Sequence, residues 1–161
     1  MMNGEKLIIA CPECATLNRV PAERLSDGAK CGKCASSLFP GQPVELTTEN
    51  FEKHAQSSDI PLVVDFWAEW CGPCRQMEAG YASAASRVEP RLRLGKINTE
   101  TEQALSARFG IQSIPSIILL SKGQEVARTT GAMPETALLR WIESALAESQ
   151  RHFPAQSIDR P

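Results

Sequence analysis

The 161-residue chain has few aromatic residues, little net charge, no long apolar run and no cysteine outside a Cys-x-x-Cys pair. A net charge of −2 provides no basic field for nucleic acid or for an acidic membrane surface. No apolar run approaches the roughly 20 residues that span a bilayer. Residues 7–10 form an apolar patch that is shorter than the core of a signal peptide, about 7–15 residues. We therefore expect a cytoplasmic monomer without nucleic-acid or membrane partners.

All six cysteines fall into three pairs with the same spacing: Cys11/Cys14, Cys31/Cys34 and Cys71/Cys74. In a small secreted protein these pairs would suggest three structural disulfides. This chain has 42% hydrophobic residues, which is enough to build a core without disulfides. Its size, the absence of a signal sequence and the two-residue spacing favour metal binding or redox chemistry instead.

The first forty residues hold too few apolar side chains to bury a core, because domains below about 40 residues usually need a metal or disulfides. Pro40-Gly41-Gln42-Pro43 is typical of a linker, and its two prolines predict a fixed offset between two modules. We therefore expect a four-cysteine module over 1–39, a linker over 40–43, a second domain over 44–148 and a polar, disordered tail over 149–161.

Beyond the linker, the hydrophobic pattern alternates between helix and strand. Residues 62–68 form a nearly unbroken apolar run, as expected for a central strand that is buried on both faces. The hairpin pattern at 122–124 and the helix that begins at Pro134 complete the order α, β, α, β, α, β, β, α. This order predicts an α/β fold with a mixed sheet covered by helices on both faces.

Cys71 directly follows the predicted central strand, and Cys74 lies one helical turn later. At a helix N-terminus, free N–H groups and the helix dipole stabilise a thiolate. The Cys71 thiolate can attack a disulfide, and Cys74 is then the resolving thiol. Gly72 permits close approach of substrate backbone, and Pro73 fits a first helical turn. Such a pair can also be half of a zinc site, but its place in a strand–helix unit favours redox chemistry.

Asp65 interrupts the apolar run, where an unpaired carboxylate is costly and its pKa is raised. A buried proton acceptor explains this position, and a strand bend that exposes the carboxylate is the alternative. We expect Trp67 in the core and Trp70 at the surface. His54 and His152 suggest no chemistry, and surface positions suffice for both.

Residues 67–74 resemble the active-site segment of thioredoxins nearly letter for letter: Trp-Ala-Glu-Trp-Cys-Gly-Pro-Cys. The resemblance covers about residues 44–148 and implies a thioredoxin fold with protein-disulfide reductase activity. Further matches follow in the right order at Asp65, Lys96, Ile114-Pro115, Gly123 and Gly131-Ala132.

The resemblance implies a role for each matching residue. Cys71 would attack the substrate, Cys74 would resolve the mixed disulfide, and Asp65 would assist proton transfer with Lys96 nearby. Pro115 would be a cis-proline facing the two cysteines, although the sequence alone favours trans, since only about 5–6% of X–Pro bonds are cis. The implied apolar docking surface consists of Trp70, Gly72, Pro73, Ile114, Pro115, Gly131 and Ala132.

One departure concerns the helix after the active site. Thioredoxins usually carry a helix-kinking proline five residues beyond the second cysteine, whereas this chain has Ala79 there, followed by Gly80. We expect a straighter helix, or one bent loosely at Gly80.

The N-terminal pairs, separated by residues 15–30, match the spacing of a four-thiolate zinc site. Four protein ligands leave no position for water, so we expect a structural ion; local disulfides or an iron centre are the alternatives. Residues 1–40 carry five cationic and four acidic side chains, and a Zn(Cys)₄ centre adds about −2, which argues against phosphate binding. The predicted zinc ligands are Cys11, Cys14, Cys31 and Cys34.

A ribbon of this kind ahead of a thioredoxin domain resembles the zinc-containing bacterial thioredoxins of the thioredoxin 2 type. The resemblance implies one structural zinc and no organic cofactor. It also implies an NADPH-dependent thioredoxin reductase as partner, and disulfide-containing clients such as ribonucleotide reductase. Two other functions stay open: a zinc-linked redox sensor that releases its metal on oxidation, and a net oxidant or isomerase.

Overall fold

The computed structural model describes residues 4–152. Within this range no helix is both long and apolar enough to cross a membrane. The N-terminal module begins with an antiparallel hairpin of β1 (Lys6–Ala10) and β2 (Leu17–Pro21), followed by a 3-10 turn at Ala22–Arg24. The remaining elements are β3 (Val44–Glu45), a π-helical segment (Lys53–Ser57), β4 (Leu62–Trp67), α1 (Gly72–Val88), β5 (Arg93–Asn98), α2 (Gln103–Arg108), β6 (Ser116–Ser121), β7 (Gln124–Thr130) and α3 (Glu135–His152).

The main sheet of the described chain has five strands in the order β3-β5-β4-β6-β7. β5 pairs in parallel with β3 and β4, whereas β6 is antiparallel to both β4 and β7. The mixed sheet expected from the sequence is therefore confirmed, with the short edge strand β3 added. Lys122 and Gly123 both have positive φ in the two-residue turn between β6 and β7, as the hairpin pattern predicts.

Strand β4 is buried on both faces because helical layers cover the sheet on both sides. Val63 packs in a cluster with α1 and α3, while Leu62, Val64 and Phe66 pack on the opposite side with residues of the π-helical segment and α2. This alternation is the two-residue period of a strand. Asp65 is two residues from Val63, so its carboxyl group faces α1.

Helix α1 runs unbroken from Gly72 to Val88, as expected of a helix without the usual proline at Ala79. Its neighbour Gly80 lies against the start of α3, where a Cβ atom on residue 80 would be 3.5 Å from the backbone nitrogen of Glu135. The Glu135 carboxylate also accepts hydrogen bonds from Ser83 and Arg87 of α1. A separation of 3.5 Å is an ordinary van der Waals distance, so the packing of α1 against α3 leaves room for an alanine at position 80.

The structure corrects two expectations. His54 is not at the surface: it is 2% exposed in the π-helical segment, and its Nε2 has no hydrogen-bond partner among residues 4–152. Burial, with Arg93 nearby, lowers the pKa of His54 to about 3. Helix α3 continues to His152, so the first residues of the tail predicted from 149 are helical. The rest of that tail and the side chain of His152 lie outside the described residues.

The N-terminal module docks on the main domain through Arg93. This guanidinium is 2% exposed, forms an ion pair of 3.0 Å with Glu89, and donates to the carbonyl oxygens of Leu38 at 2.8 Å and Ala10 at 3.0 Å. It also lies 5.1 Å from the centre of the Phe39 ring. A single side chain thus satisfies buried polar groups from both parts of the chain, which such groups require.

Residues that precede β4 form a second part of the docking interface. Asp59 and Ile8 exchange two hydrogen bonds of 2.7 and 2.8 Å, and the Ser58 hydroxyl accepts one from the Ala10 N–H. Ile60 packs in the apolar cluster of the N-terminal module. The linker is also held, because the Gly41 N–H donates to Glu89 at 2.8 Å. These contacts explain the fixed offset that the linker prolines suggest.

The interface and the Cys71/Cys74 pair lie at opposite ends of the sheet. The interface uses residues just before β4 and at the start of β5, whereas Cys71 follows the end of β4. Six strand residues span about 20 Å, which sets the scale of the separation. Residues 4–39 of the N-terminal module therefore lie away from the redox pair.

We predict that Arg93→Met destabilises the protein by about 3–5 kcal/mol, because it removes the ion-pair partner of the buried Glu89 carboxylate and the guanidinium donors to two buried carbonyl oxygens. The matched control is Arg91→Met, which removes an exposed ion pair with Glu143 and costs at most about 1 kcal/mol. Urea unfolding followed by tryptophan fluorescence measures both variants. Equal losses in the two would contradict the account of the docking interface.

Candidate redox site and four-cysteine cluster

Cys71 and Cys74 form a disulfide at the N-terminus of α1, with their Cα atoms 5.3 Å apart. Cys71 is the N-cap residue of the helix, and its Sγ accepts a hydrogen bond from the Cys74 N–H at 3.2 Å. The same donor and the helix dipole stabilise a thiolate when the pair is reduced. Both cysteines are buried in this disulfide state, Cys71 at 4% and Cys74 at 3% exposure.

Asp65 is buried on the face of β4 that α1 covers, as the first of the two sequence interpretations requires. It is 2% exposed, and its Oδ1 has no hydrogen-bond partner in the range 4–152. Burial raises the pKa of Asp65 to about 7, the nearby Lys96 ammonium lowers it, and the Glu78 carboxylate raises it. A carboxyl group with this pKa exchanges protons near neutral pH, as a general acid or base does.

Lys96 is the strand neighbour of Asp65, since the two are register partners on β5 and β4. Its Nζ lies 4.3 Å from the centre of the Trp67 ring and 3.9 Å from Glu78 Oε2. Trp67 is half-buried, and its Nε1 has no partner in the described part of the chain. The Trp67 ring thus lies against the Lys96 ammonium and is only partly exposed to solvent.

Most of the expected docking residues are exposed or half-buried near the disulfide, whereas Pro115 is buried and is not itself part of the exposed surface. Trp70 is 69% exposed, and Ile114 packs against the two cysteines with its carbonyl oxygen 3.9 Å from Cys71 Sγ. The Ile114–Pro115 peptide bond is cis, as the resemblance implied. The Pro115 carbonyl accepts a hydrogen bond from the Gly131 N–H at 2.9 Å, which ties the next loop to this surface. The exposed residues around these groups are Gly72, Pro73, Gly131 and Ala132.

Two acidic residues beside the pair were missed by the sequence prediction. Glu100 accepts a hydrogen bond from Trp70 Nε1 at 2.9 Å, and Glu78 pairs with Lys96. Glu78 lies four residues after Cys74, and this spacing places the two on one face of a helix. That pattern could have pointed to Glu78, whereas Glu100 is brought to Trp70 only by the fold.

The N-terminal cysteines lie in two turns with the same backbone. In the first turn the Ala15 N–H bonds to the Cys11 carbonyl at 2.9 Å, and the Glu13 N–H donates to Cys11 Sγ at 3.3 Å. The second turn repeats both distances with Ala35, Cys31 and Lys33. Ala15 and Ala35 have φ of 65° and 68°. Two equivalent turns thus present their sulfurs to one point.

The donor set fits zinc. All four Sγ atoms lie within 4.8 Å of one another, and the closest pairs are Cys11–Cys34 at 3.6 Å and Cys14–Cys31 at 3.7 Å. A tetrahedron with Zn–S bonds of about 2.3 Å has sulfurs about 3.8 Å apart. Backbone N–H groups directed at Cys31 lower its pKa to about 6 and so favour the thiolate form that binds metal. At Cys11 burial outweighs the same kind of hydrogen bond and raises the pKa to about 11.

Comparison with known proteins identifies both parts. Residues 42–144 match the family model described as Thioredoxin. The chain belongs to the thioredoxin family. Residues 10–36 match a second, zinc-ribbon model described as Thioredoxin 2, N-terminal. The thioredoxin fold expected from the sequence is confirmed, and the four-cysteine cluster matches a zinc ribbon. As a member of this family the protein is a thiol–disulfide oxidoreductase.

Individual thioredoxins match over different lengths. Thioredoxin C-3 of Corynebacterium nephridii is 41% identical over 144 residues, which cover 89% of this chain and 99% of that protein. The thioredoxin of Haemophilus influenzae is 37% identical over 99 residues, 62% of this chain and 92% of that protein. A solved mutant thioredoxin from Halobacterium salinarum NRC-1 has a TM-score of 0.59 at 28% identity, and the match covers 66% of this chain and 92% of that one.

We predict that Asp65→Asn stabilises this thioredoxin at high pH. The pKa of Asp65 is raised from 3.8 to about 7, so its stabilising contribution is complete below pH 4 and is lost as the pH rises through 7. The disulfide form of the variant should be about 2–4 kcal/mol more stable than the parent at pH 8, and the difference should vanish at pH 4. Urea unfolding at both pH values measures this.

The control is Asp27→Asn, which removes an exposed ion pair with Arg24 and should give no gain at pH 8. A gain for Asp65→Asn that is equal at pH 4 and pH 8 would contradict the raised pKa of Asp65.

Proposed function

We propose that this protein is a general protein-disulfide reductase that uses Cys71 and Cys74 as a reversible dithiol–disulfide couple. The observation that carries the proposal is the Cys71–Cys74 disulfide at a helix N-terminus, with a buried carboxyl group of raised pKa behind it. This combination supplies a stabilised thiolate for attack and a proton acceptor for resolution. The membership of the thioredoxin family supports the same reaction.

The first step is attack on the substrate. The Cys71 thiolate displaces one sulfur of the substrate disulfide, forming a mixed disulfide between Cys71 and the other substrate sulfur. The displaced substrate sulfur leaves as a thiolate and takes a proton from water. The Cys74 N–H, which points at Cys71 Sγ from 3.2 Å, stabilises the attacking thiolate.

The second step releases the substrate. Asp65 as carboxylate accepts the Cys74 proton, and the resulting Cys74 thiolate attacks Cys71 Sγ. The mixed disulfide breaks, and Cys71–Cys74 becomes the disulfide seen in the structure. The second substrate sulfur leaves as a thiolate and takes a proton from water, and Asp65 later returns its proton to water. Two electrons have then passed from the protein to the substrate. Lys96 lies beside Asp65 and stabilises its carboxylate form.

The substrate lies against the apolar surface of Trp70, Gly72, Pro73, Ile114, Pro115, Gly131 and Ala132. Two observations support this binding surface. Trp70 and the loop at Gly131 are exposed, and Ile114 packs against the disulfide on the same side. Substrate backbone pairing beside Pro115 accounts for recognition without a particular side-chain sequence. This surface suits many unrelated clients, as a general reductase requires.

We propose the electron donor and the client proteins that are typical of the thioredoxin family. An NADPH-dependent thioredoxin reductase regenerates the dithiol, and clients such as ribonucleotide reductase accept the electrons. The bacterial thioredoxins among its relatives support a cytoplasmic place and a part in redox homeostasis. The domain boundaries we propose remain 1–39, 40–43 and 44–148, with the tail beyond.

The ribbon holds one structural zinc through Cys11, Cys14, Cys31 and Cys34. The ion would cross-link the two turns, and four thiolates leave no open position for chemistry. Its place at the far end of the sheet from Cys71 supports a structural rather than a catalytic part.

We predict that Cys71→Ser abolishes the acceleration of insulin-disulfide reduction by dithiothreitol, a loss of more than about a hundredfold, because the nucleophile is gone. Cys74→Ser should instead accumulate a mixed disulfide with the substrate, visible by mass spectrometry. The control is the zinc content of the Cys71→Ser variant, which should remain at one ion per chain. A retained ion shows that the ribbon is still folded in the inactive variant. Full activity of Cys71→Ser would contradict the proposed reductase.

We predict one zinc per chain by elemental analysis and its loss in Cys31→Ser. Because the ribbon holds the Arg93 interface, zinc removal should also lower the urea midpoint of the main domain. A second candidate function is a redox sensor that releases zinc on oxidation. The exposure of Cys14 and Cys34 favours it, because exposed thiolates are accessible to oxidants. A chromogenic zinc assay during graded peroxide treatment decides between them: zinc retained while Cys71–Cys74 is fully oxidised contradicts the sensor.

A further inference from the structure

Lys96 stands between two carboxyl groups of unequal exposure. On one side is Asp65, its register partner on the neighbouring strand, which is 2% exposed. On the other side is Glu78 of α1, whose side chain is 55% exposed and whose Oε2 lies 3.9 Å from the lysine Nζ. The Lys96 side chain itself is only 18% exposed, so a single partly buried cation serves both acids.

The ion-pair partner that Lys96 has in this structure is Glu78. The lysine ammonium lies above the Trp67 ring, 4.3 Å from its centre, on the way from the sheet to the helix. Asp65 Oδ1 is left without a hydrogen bond within residues 4–152. The tryptophan and the glutamate together therefore hold the cation at the outer side of the buried carboxyl group.

Glu78 and the resolving Cys74 lie on the same face of helix α1. Glu78 lies one turn after Cys74, and residues four apart on a helix are neighbours. Arg75 approaches Glu78 Oε1 at 3.8 Å from the solvent side, so the carboxylate spans from the surface to Lys96. The helix that carries the resolving cysteine thus also carries an acid that competes for the lysine.

Lys96 and Glu78 are the charged groups that act on Asp65, and its other described neighbours are uncharged. From α1 comes Tyr81, whose hydroxyl donates to the Val63 and Gly95 carbonyls and whose pKa is raised by burial and by the Asp65 charge. β6 contributes the apolar Ile117 as register partner. Burial has the largest effect on the pKa of Asp65, which it raises; Lys96 lowers it and Glu78 raises it.

We propose that Glu78 is a positioning residue of the redox site: by holding Lys96 over Trp67, it keeps Asp65 able to retain the proton that Cys74 gives up. This rests on the proposed function of Asp65 as the proton acceptor. With Glu78 in place, the carboxylate of Asp65 is stabilised less by the lysine and is the stronger base. Without it, Lys96 is free to pair with Asp65, which then ionises at lower pH.

The test is a titration of the Asp65 side-chain carboxyl carbon by ¹³C NMR, in the zinc-loaded, disulfide form of the full chain. Asp65→Asn assigns the resonance. Glu78→Gln should lower the titration midpoint by about 0.5–1 pH unit, since it removes a nearby negative charge and releases the cation. Glu143→Gln is the matched control, because it also removes one exposed glutamate charge, but on α3 beside Arg91, and should leave the midpoint unchanged.

A double variant tests whether Glu78 acts on Asp65 through Lys96. Lys96→Met should raise the Asp65 midpoint, and adding Glu78→Gln to it should shift the midpoint by less than half of the shift in the parent chain. An unchanged midpoint in Glu78→Gln overturns the proposal. A full shift that persists without Lys96 overturns it as well, because Glu78 would then act on Asp65 directly.

A second measurement separates this proposal from the proposed function. The pH dependence of insulin-disulfide reduction should move to lower pH in Glu78→Gln, and its dependence near pH 7 should disappear in Asp65→Asn. If Asp65→Asn keeps the parent pH profile, the proton-acceptor function fails. If Asp65→Asn changes the profile and Glu78→Gln does not, only the inference about Glu78 fails.

Discussion

The structure depends on the burial of strand β4, which has paired neighbours on both edges and packed helices on both faces. At its carboxyl end the chain turns into α1, so the turn delivers Cys71 to a helix N-terminus. The same burial surrounds Asp65 with apolar side chains and makes its ionisation costly. Strand burial therefore sets both properties of the site, a stabilised thiolate and a carboxyl group that titrates near neutrality.

The chain uses cysteine in two different ways and keeps the two apart. Four thiols in the ribbon are arranged to satisfy one another around a metal, in turns that fix their geometry. The other two have no such partner pair and form a reversible bond. The docking interface at Arg93 and Ile60 places the ribbon at the end of the sheet away from Cys71. The separation lets the ribbon dock on the main domain without covering Cys71 and Cys74.

Much of this could be predicted from the sequence, where local patterns carry the information. The apolar run around Asp65 and the Cys-x-x-Cys pair after it predict the central strand, the helix start and the buried carboxyl group. The docking of Arg93 could not be predicted, because its carbonyl partners lie 55 and 83 residues away in the chain. His54 was placed at the surface for the same reason: the strand that covers its helical segment comes from the distant N-terminal module.

The central claim is that redox chemistry is confined to Cys71 and Cys74 while the ribbon thiols stay sequestered. Differential isotope-tagged alkylation of the zinc-loaded, folded protein, before and after mild reduction with dithiothreitol, tests it by mass spectrometry. The account predicts new labels at Cys71 and Cys74 only, with Cys71 modified first because its thiolate is stabilised at the helix N-terminus. New labels at Cys11, Cys14, Cys31 or Cys34, or none at Cys71, would contradict it.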